Sequence, residues 1–210
     1  THNIDRVDHF SFTMAGAPLS NFEWLWDVSV AAINDWAGSN ALVLVNGLVV
    51  AAILTAIFAT MRLRGASELI SAAGTSLALA NLLLYAQVRP AMTGALLSAA
   101  FLLVLELHQR RGDWRLLLPL LPMEIVWANA HASFVMGPAL CAVYAAPKLW
   151  CELQRPRSSG SPNRSIRAAI GRPRPPWSPA WHLAGMAVTL GLVSLLNPAG
   201  FTLVRFTLGA

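Results

Sequence analysis

Long uncharged apolar runs alternate with short polar breaks along the chain, a pattern that predicts an all-α protein whose helices cross a bilayer. Residues 41–61 carry no charge and, at about 1.5 Å per residue, are long enough for a hydrocarbon core of roughly 30 Å. Arg62 and Arg64 end that run. A second run, 69–88, closes at Arg89-Pro90, and a third, shorter one, 91–105, closes in the polar stretch 108–115. Residues 116–147 hold one charge, Glu124, and residues 181–196 hold none before Asn197-Pro198-Ala199-Gly200 breaks the pattern. Ahead of all these, residues 21–36 place Phe22, Leu25, Trp26, Ser29, Val30 and Ile33 on one helical face and Glu23, Asp27 and Asn34 on another. That is the pattern of an amphipathic helix lying at a membrane interface, with Trp24, Trp26 and Trp36 as aromatic anchors.

Charge orients the runs. Cytoplasmic loops are enriched in Lys and Arg, so Arg62, Arg64 and the 108–115 turn fall on the cytoplasmic side, and Arg89 and the N-terminal segment on the other. Residues 116–147 fit either one long tilted helix or a hairpin of two short ones. A single crossing would export Arg155, Arg157, Arg164, Arg167, Arg172 and Arg174, whereas a hairpin turning near Asn129-Ala130-His131 keeps them inside. The hairpin is therefore expected. The resulting organisation is an external loop and interfacial helix over residues 1–38, then a polytopic transmembrane bundle of about six helices over 39–210. The bundle carries an Arg/Pro-rich cytoplasmic loop at 154–179, which reads as a loosely held connection rather than a site.

Composition agrees. The chain is 56% hydrophobic and 12% charged with a mean hydropathy of +0.54, which belongs to the membrane class. Its formal charge of +5 would suggest nucleic acid in a soluble protein, but these cations sit in short clusters between apolar runs, so no nucleic-acid partner is expected. Opening on Thr1 and stopping at Gly209-Ala210 just after an apolar run, the chain reads as part of a longer protein. Cys141 and Cys151 have neither Cys-x-x-Cys spacing nor a His partner and read as ordinary thiols. P-loop, GxSxG, HExxH and nucleotide-binding glycine patterns are absent from the sequence.

Candidate chemistry gathers at one membrane face. Five carboxylates, Asp5, Asp8, Glu23, Asp27 and Asp35, stand against one cation, Arg6, in the N-terminal segment. With the topology above, Asp8, Glu23, Arg89, Asn129, His131 and Asn197 all lie at external helix ends, where they would line a polar pocket if those ends converge. Helix ends are polar in any membrane protein, which is the plain alternative. Arg89 suits a phosphate clamp by its planar permanent charge; it equally suits snorkelling to lipid headgroups. Asn129 and His131, among small residues that permit close helix approach, offer hydrogen bonds to a sugar or a pyrophosphate, or only to the protein. Glu124 is an intramembrane carboxylate, functional or internally paired. Asp8, beside Asp5 and His9, suits proton removal from a hydroxyl, the holding of a divalent cation, or the capping of a turn made with Ser11 and Thr13. The metal question stays open, and a divalent cation is the one cofactor these residues suggest.

In order along the chain stand Asp8-x-Phe10-Ser11-Phe12-Thr13, Gly16-x-Pro18-x-x-Asn21-x-Glu23-Trp24-Leu25, Arg89-Pro90, Trp127-Ala128-Asn129-x-His131 and Asn197-Pro198-x-Gly200. This succession resembles bacterial membrane proteins of the GT-C glycosyltransferase class, in the dolichyl-phosphate-mannose-protein mannosyltransferase-like group. The resemblance implies a multi-pass inner-membrane enzyme that takes a sugar from a polyprenyl-phosphate donor and passes it to an acceptor on the periplasmic face. It also implies Asp8 as the catalytic carboxylate and general base, Arg89 as electrostatic partner of the leaving polyprenyl phosphate, and Glu23, Asn129 and His131 as substrate-binding groups shaping the pocket. Two departures are visible: Ala91 follows Arg89-Pro90 where similar proteins often carry a polar residue, and Ala132-Ser133 stands where glycines are common after the His. The competing class is a transporter or lipid-handling protein, which calls for intramembrane charges along a path and repeat symmetry; only Glu124 answers that description. A non-catalytic membrane subunit, with a cytoplasmic loop that binds a partner, is the third class.

Overall fold

The computed structural model describes residues 7, 12, 13, 15, 16, 21–84, 86–154, 179–198 and 200. Within them the chain is all-helical, as the apolar periodicity predicts. The α-helices are α1 (Trp24–Ala37), α2 (Ser39–Leu63), α3 (Glu68–Leu83), α4 (Pro90–Arg111), α5 (Leu120–Ala130), α6 (Met136–Leu153) and α7 (Pro179–Val193). Short 3-10 turns lie at Trp114–Leu117, Ala132–Val135 and Ser194–Leu196. Among the described residues three segments are long and apolar enough to span a membrane: α2, α4 and Ala132–Leu153. α3 and Ala180–Leu196 are apolar but shorter. Much of the outer surface is apolar too, with Leu44 66%, Leu69 79%, Leu77 67% and Val188 65% exposed, an amount of bare hydrocarbon that suits lipid better than water.

Helix ends follow local chemistry. Gly38 (φ 76°) separates α1 from α2 and Gly65 (φ 90°) follows α2, both in the left-handed region that glycine occupies without strain. Ser67 caps α3 by accepting the Ile70 N–H at 3.3 Å. The second apolar run was expected to stay helical to Val88, but α3 stops at Leu83. Asn46 of α2 donates to the Ala86 carbonyl at 3.1 Å, tying the segment after α3 to a neighbouring helix. Pro90 then starts α4 as its first residue, and Arg89 before it is extended (φ −139°, ψ 150°), the conformation a following proline favours.

α4 runs past its apolar stretch 91–105 into the polar stretch expected to close it, reaching Arg111 and ending at left-handed Gly112. Glu106 is only 8% exposed, and one of its carboxylate oxygens is held by two partners. Arg64 donates to its Oε1 from Nε at 2.8 Å and the Tyr144 hydroxyl donates to the same oxygen at 2.7 Å. These bonds join the C-terminal end of α2 to α4 and α6.

Over residues 116–147 the helix does break. α5 ends at Ala130, His131 is extended (φ −163°, ψ 141°) and a 3-10 turn leads into α6. The chain also reverses there. In one straight helix Glu124 and Gly137 would stand about 20 Å apart, whereas a Cβ on Gly137 would collide with the Glu124 carboxylate. Around this reversal sits the main core: Leu97, Phe101 and Leu105 of α4 meet Trp127 of α5, Tyr144 of α6 and Leu183 and Leu190 of α7. A smaller cluster packs Ile53 and Ala56 of α2 on Met92 and Ala99 of α4. Most of the N-terminal loop and residues 155–178 of the Arg/Pro-rich loop lie outside the described residues. Cys141 is a buried free thiol and Cys151 an exposed one.

Candidate functional site

The reversal at His131 presents a group of polar side chains to the start of α1. Asn21 shapes that start: its side-chain oxygen accepts the Glu23 N–H at 3.1 Å and its amide donates to Asp27 at 2.6 Å. Glu23 is thereby placed at the N-cap of α1 with Trp24 in its first turn. The Trp24 indole N–H donates to Asn129 Oδ1 at 2.8 Å, and Asn129 Nδ2 donates to the Ile125 carbonyl at 2.7 Å, so both ends of this buried amide are satisfied. Two residues further, His131 Nδ1 lies 2.6 Å from Glu23 Oε1. Asn197, just beyond α7, donates to the carbonyls of Ala128 at 2.8 Å and Phe22 at 3.3 Å, closing the group from a third side.

α4 supplies the floor. A Cβ on Gly94 would stand 2.7 Å from His131 Cδ2 and would also crowd the Ser133 hydroxyl. Ser133 Oγ accepts the Trp127 indole N–H at 3.0 Å, and Trp127 packs edge-on against Phe101, ring centroids 5.3 Å apart. Beneath lies Glu124, fully buried, its Oε1 accepting from Ser194 Oγ at 2.7 Å and its Oε2 without a hydrogen-bond partner. Because Gly137 closes directly on that carboxylate, Glu124 faces packed protein and the space beside it holds no ligand. Its geometry is that of an internally paired group that ties α5 to the segment after α7.

Of the residues named from sequence, Glu23, Asn129 and His131 thus come together, with Asn197. Arg89 stands apart from them. Among the described residues its side chain makes no hydrogen bond or ion pair; it lines a cavity of about 140 Å³ with Trp26 and Ile33 of α1, Asn46 and Val49 of α2 and Met92 of α4. The two places adjoin through shared elements, since α1 carries Trp24 to one and Trp26 to the other, and α4 carries Gly94 and Met92 likewise. Asp8 lies outside the described residues, as do Asp5 and Ser11. Among the described residues no group of three or more His, Cys, Asp or Glu side chains could hold a metal ion.

Three participants escape sequence reading. Gly94 passes as one small residue in an apolar run; its own signal is its place one turn into a helix begun by Pro90, where a close approach by another element needs a missing Cβ. Trp24 reads as an interfacial anchor, yet its N–H is committed to Asn129. Ser133 carries no pattern at all. No family model, curated protein or solved structure matches the chain.

Proposed function

We propose that this chain belongs to a multi-pass membrane glycosyltransferase of the GT-C type, which passes a sugar from a polyprenyl-phosphate donor to an acceptor outside the bacterial inner membrane. The observation that carries the reading is the convergence of Glu23, Asn129, His131 and Asn197 from distant parts of the chain, beside an apolar cavity lined by Arg89, whose guanidinium makes no hydrogen bond or ion pair among the described residues. A lipid-linked sugar phosphate needs both kinds of surface: hydrogen-bonding groups for the sugar, and apolar walls with a fixed cation for the isoprenoid phosphate.

In this reading α1 lies at the external interface, and α2, α3, α4, α5 with α6, and α7 run back and forth beneath it as six crossings. The Arg64–Glu106–Tyr144 network then falls at the cytoplasmic end and the Glu23–His131 group at the external end. Arg89 stabilises the charge that develops on the departing polyprenyl phosphate, while Glu23, Asn129 and His131 shape the sugar pocket. Motif order nominates Asp8 as the carboxylate that removes the acceptor proton, with a divalent cation on the N-terminal loop as an optional aid.

Inner membranes carrying the full-length protein, given undecaprenyl phosphate mannose labelled in the sugar, test this. Label should leave the lipid, and Arg89→Lys, which keeps the charge but loses the two-pronged geometry, should slow the transfer at least about 10-fold. Retention of all label on the lipid with both proteins, and no saturable retention of undecaprenyl phosphate by purified wild type, would overturn the reading.

A further inference from the structure

We infer that Glu23 and His131 act as a coupled pair in which His131 Nε2 receives the proton of the acceptor hydroxyl, a role that motif order alone had given to Asp8. The inference rests on the glycosyl-transfer reading and deepens it by naming a further catalytic residue, His131, and its positioning residue, Glu23.

The geometry selects the atom. An ionised carboxylate only accepts hydrogen bonds, so the 2.6 Å contact between Glu23 Oε1 and His131 Nδ1 puts the proton on Nδ1. In the neutral ring Nε2 then carries the lone pair. Among the described residues no hydrogen bond engages Nε2, and the side chain is 24% exposed. The ring is held in place by its neighbours. His131 is extended, its backbone N–H is bound to the Trp127 carbonyl at 2.9 Å, and the absent Cβ of Gly94 leaves the notch into which the Cδ2 and Nε2 edge fits. This is the arrangement by which a carboxylate orients a general base and supports the imidazolium formed when it takes a proton.

The charged surroundings are simple. The segment before α1 brings Glu23, and Asp27 follows one turn later with Asn21 on its oxygen. α4 brings Gly94 to the ring and carries its ionisable Glu106 and His108 at the opposite end. From α5 comes the neutral amide of Asn129, with Glu124 buried below against Ser194. Arg89, at the N-cap of α4, faces its own cavity. Glu23 is therefore the one charged group among the described residues that touches the imidazole.

The step balances. The acceptor oxygen gives its proton to Nε2 and uses its electron pair to bond the anomeric carbon. The bond from that carbon to the phosphate oxygen breaks with its electron pair on the oxygen, and polyprenyl phosphate leaves. The imidazolium afterwards returns its proton to water.

Two substitutions separate chemistry from folding. His131→Asn puts an amide N–H where Nδ1–H stood, keeping a donor for Glu23 while deleting the base. Glu23→Gln keeps the side-chain shape and removes the charge. Sugar release from undecaprenyl phosphate mannose in membranes of the full-length protein should fall at least about 100-fold in His131→Asn, the scale of a lost general base, with thermal unfolding unchanged. In parallel, carbethoxylation of His131 by diethyl pyrocarbonate, which attacks a free ring nitrogen, is followed at one fixed pH by mass spectrometry. It should be slower in Glu23→Gln, because a neutral amide on Nδ1–H supports attack by Nε2 less than a carboxylate does. Equal rates would overturn the pair. Near-wild-type turnover in folded His131→Asn would overturn the role of His131 and leave the transferase standing. Absence of turnover in wild type would sink the transferase and this step with it, while the modification rate would still report the pair.

Discussion

At the scale of single residues, two glycines act in opposite ways. Gly137 is obligatory because a side chain there would strike the Glu124 carboxylate and press on Phe101 Cε1. Gly137→Ala should lower the unfolding midpoint in detergent, corresponding to about 1–3 kcal/mol of overpacking. Gly185 on α7 has nothing within 4 Å of its Cβ position, so Gly185→Ala should be neutral or stabilise by roughly 0.5–1 kcal/mol through the lost freedom of the unfolded chain. Equal effects from the two substitutions would show that the close approach of α6 to Glu124 is wrong. The Glu106 network makes a second test. Arg64 and Tyr144 share one carboxylate oxygen and bond each other at 2.8 Å, so their removal should not be additive. A double-mutant cycle of Arg64→Ala and Tyr144→Phe should give a coupling of about 0.5–3 kcal/mol. Additive losses would mean that the three groups do not act as one network.

Among elements, α1 has no buried residue of its own. Trp24 with Asn129 and Glu23 with His131 hold its first turn, while the wall of the Arg89 cavity meets its middle. Replacing Trp24 with Phe keeps much of the apolar contact but leaves Asn129 Oδ1, in a residue 4% exposed, without its donor, a loss of about 1–3 kcal/mol. Hydrogen exchange over residues 24–37 should then quicken while that of α4 stays slow. Unchanged protection of α1 would show that the indole bond does not fasten it. The break between α5 and α6 was legible only through charge: periodicity allowed one helix over 116–147, and the Arg-rich stretch beyond it favoured a reversal. The stop of α3 at Leu83 was not legible, because it depends on Asn46, 40 residues away, taking the Ala86 carbonyl.

For the whole molecule, the proposed topology makes the 155–178 stretch cytoplasmic and the Glu23–His131 group external. A single cysteine at Ser159, in a Cys151→Ser background where Cys141 is shielded by burial, should resist an impermeant maleimide in intact cells and react after permeabilisation. Labelling from outside would remove the α5–α6 pair of crossings and place the polar group on the wrong face.

The sequence by itself determined what depends on composition and local order. Uncharged runs of membrane length set the all-helical class, Pro90 and the glycines at 38, 65 and 112 set helix ends, and Arg clusters argued for a reversal near His131. These signals are local because hydropathy, φ preference and the cost of a charge in hydrocarbon belong to the residue and its near neighbours. Only the tertiary structure decided which polar residues meet. It joined Glu23 to His131 and Trp24 to Asn129 across more than a hundred residues, set Arg89 beside a separate cavity, and buried Glu106 inside a helix that continues to Arg111. Such pairings follow from the directions in which packed helices aim their side chains, and one missing Cβ at Gly94 or Gly137 decides whether two elements can close. That information lies in the packing of distant segments, where no single stretch of the chain carries it.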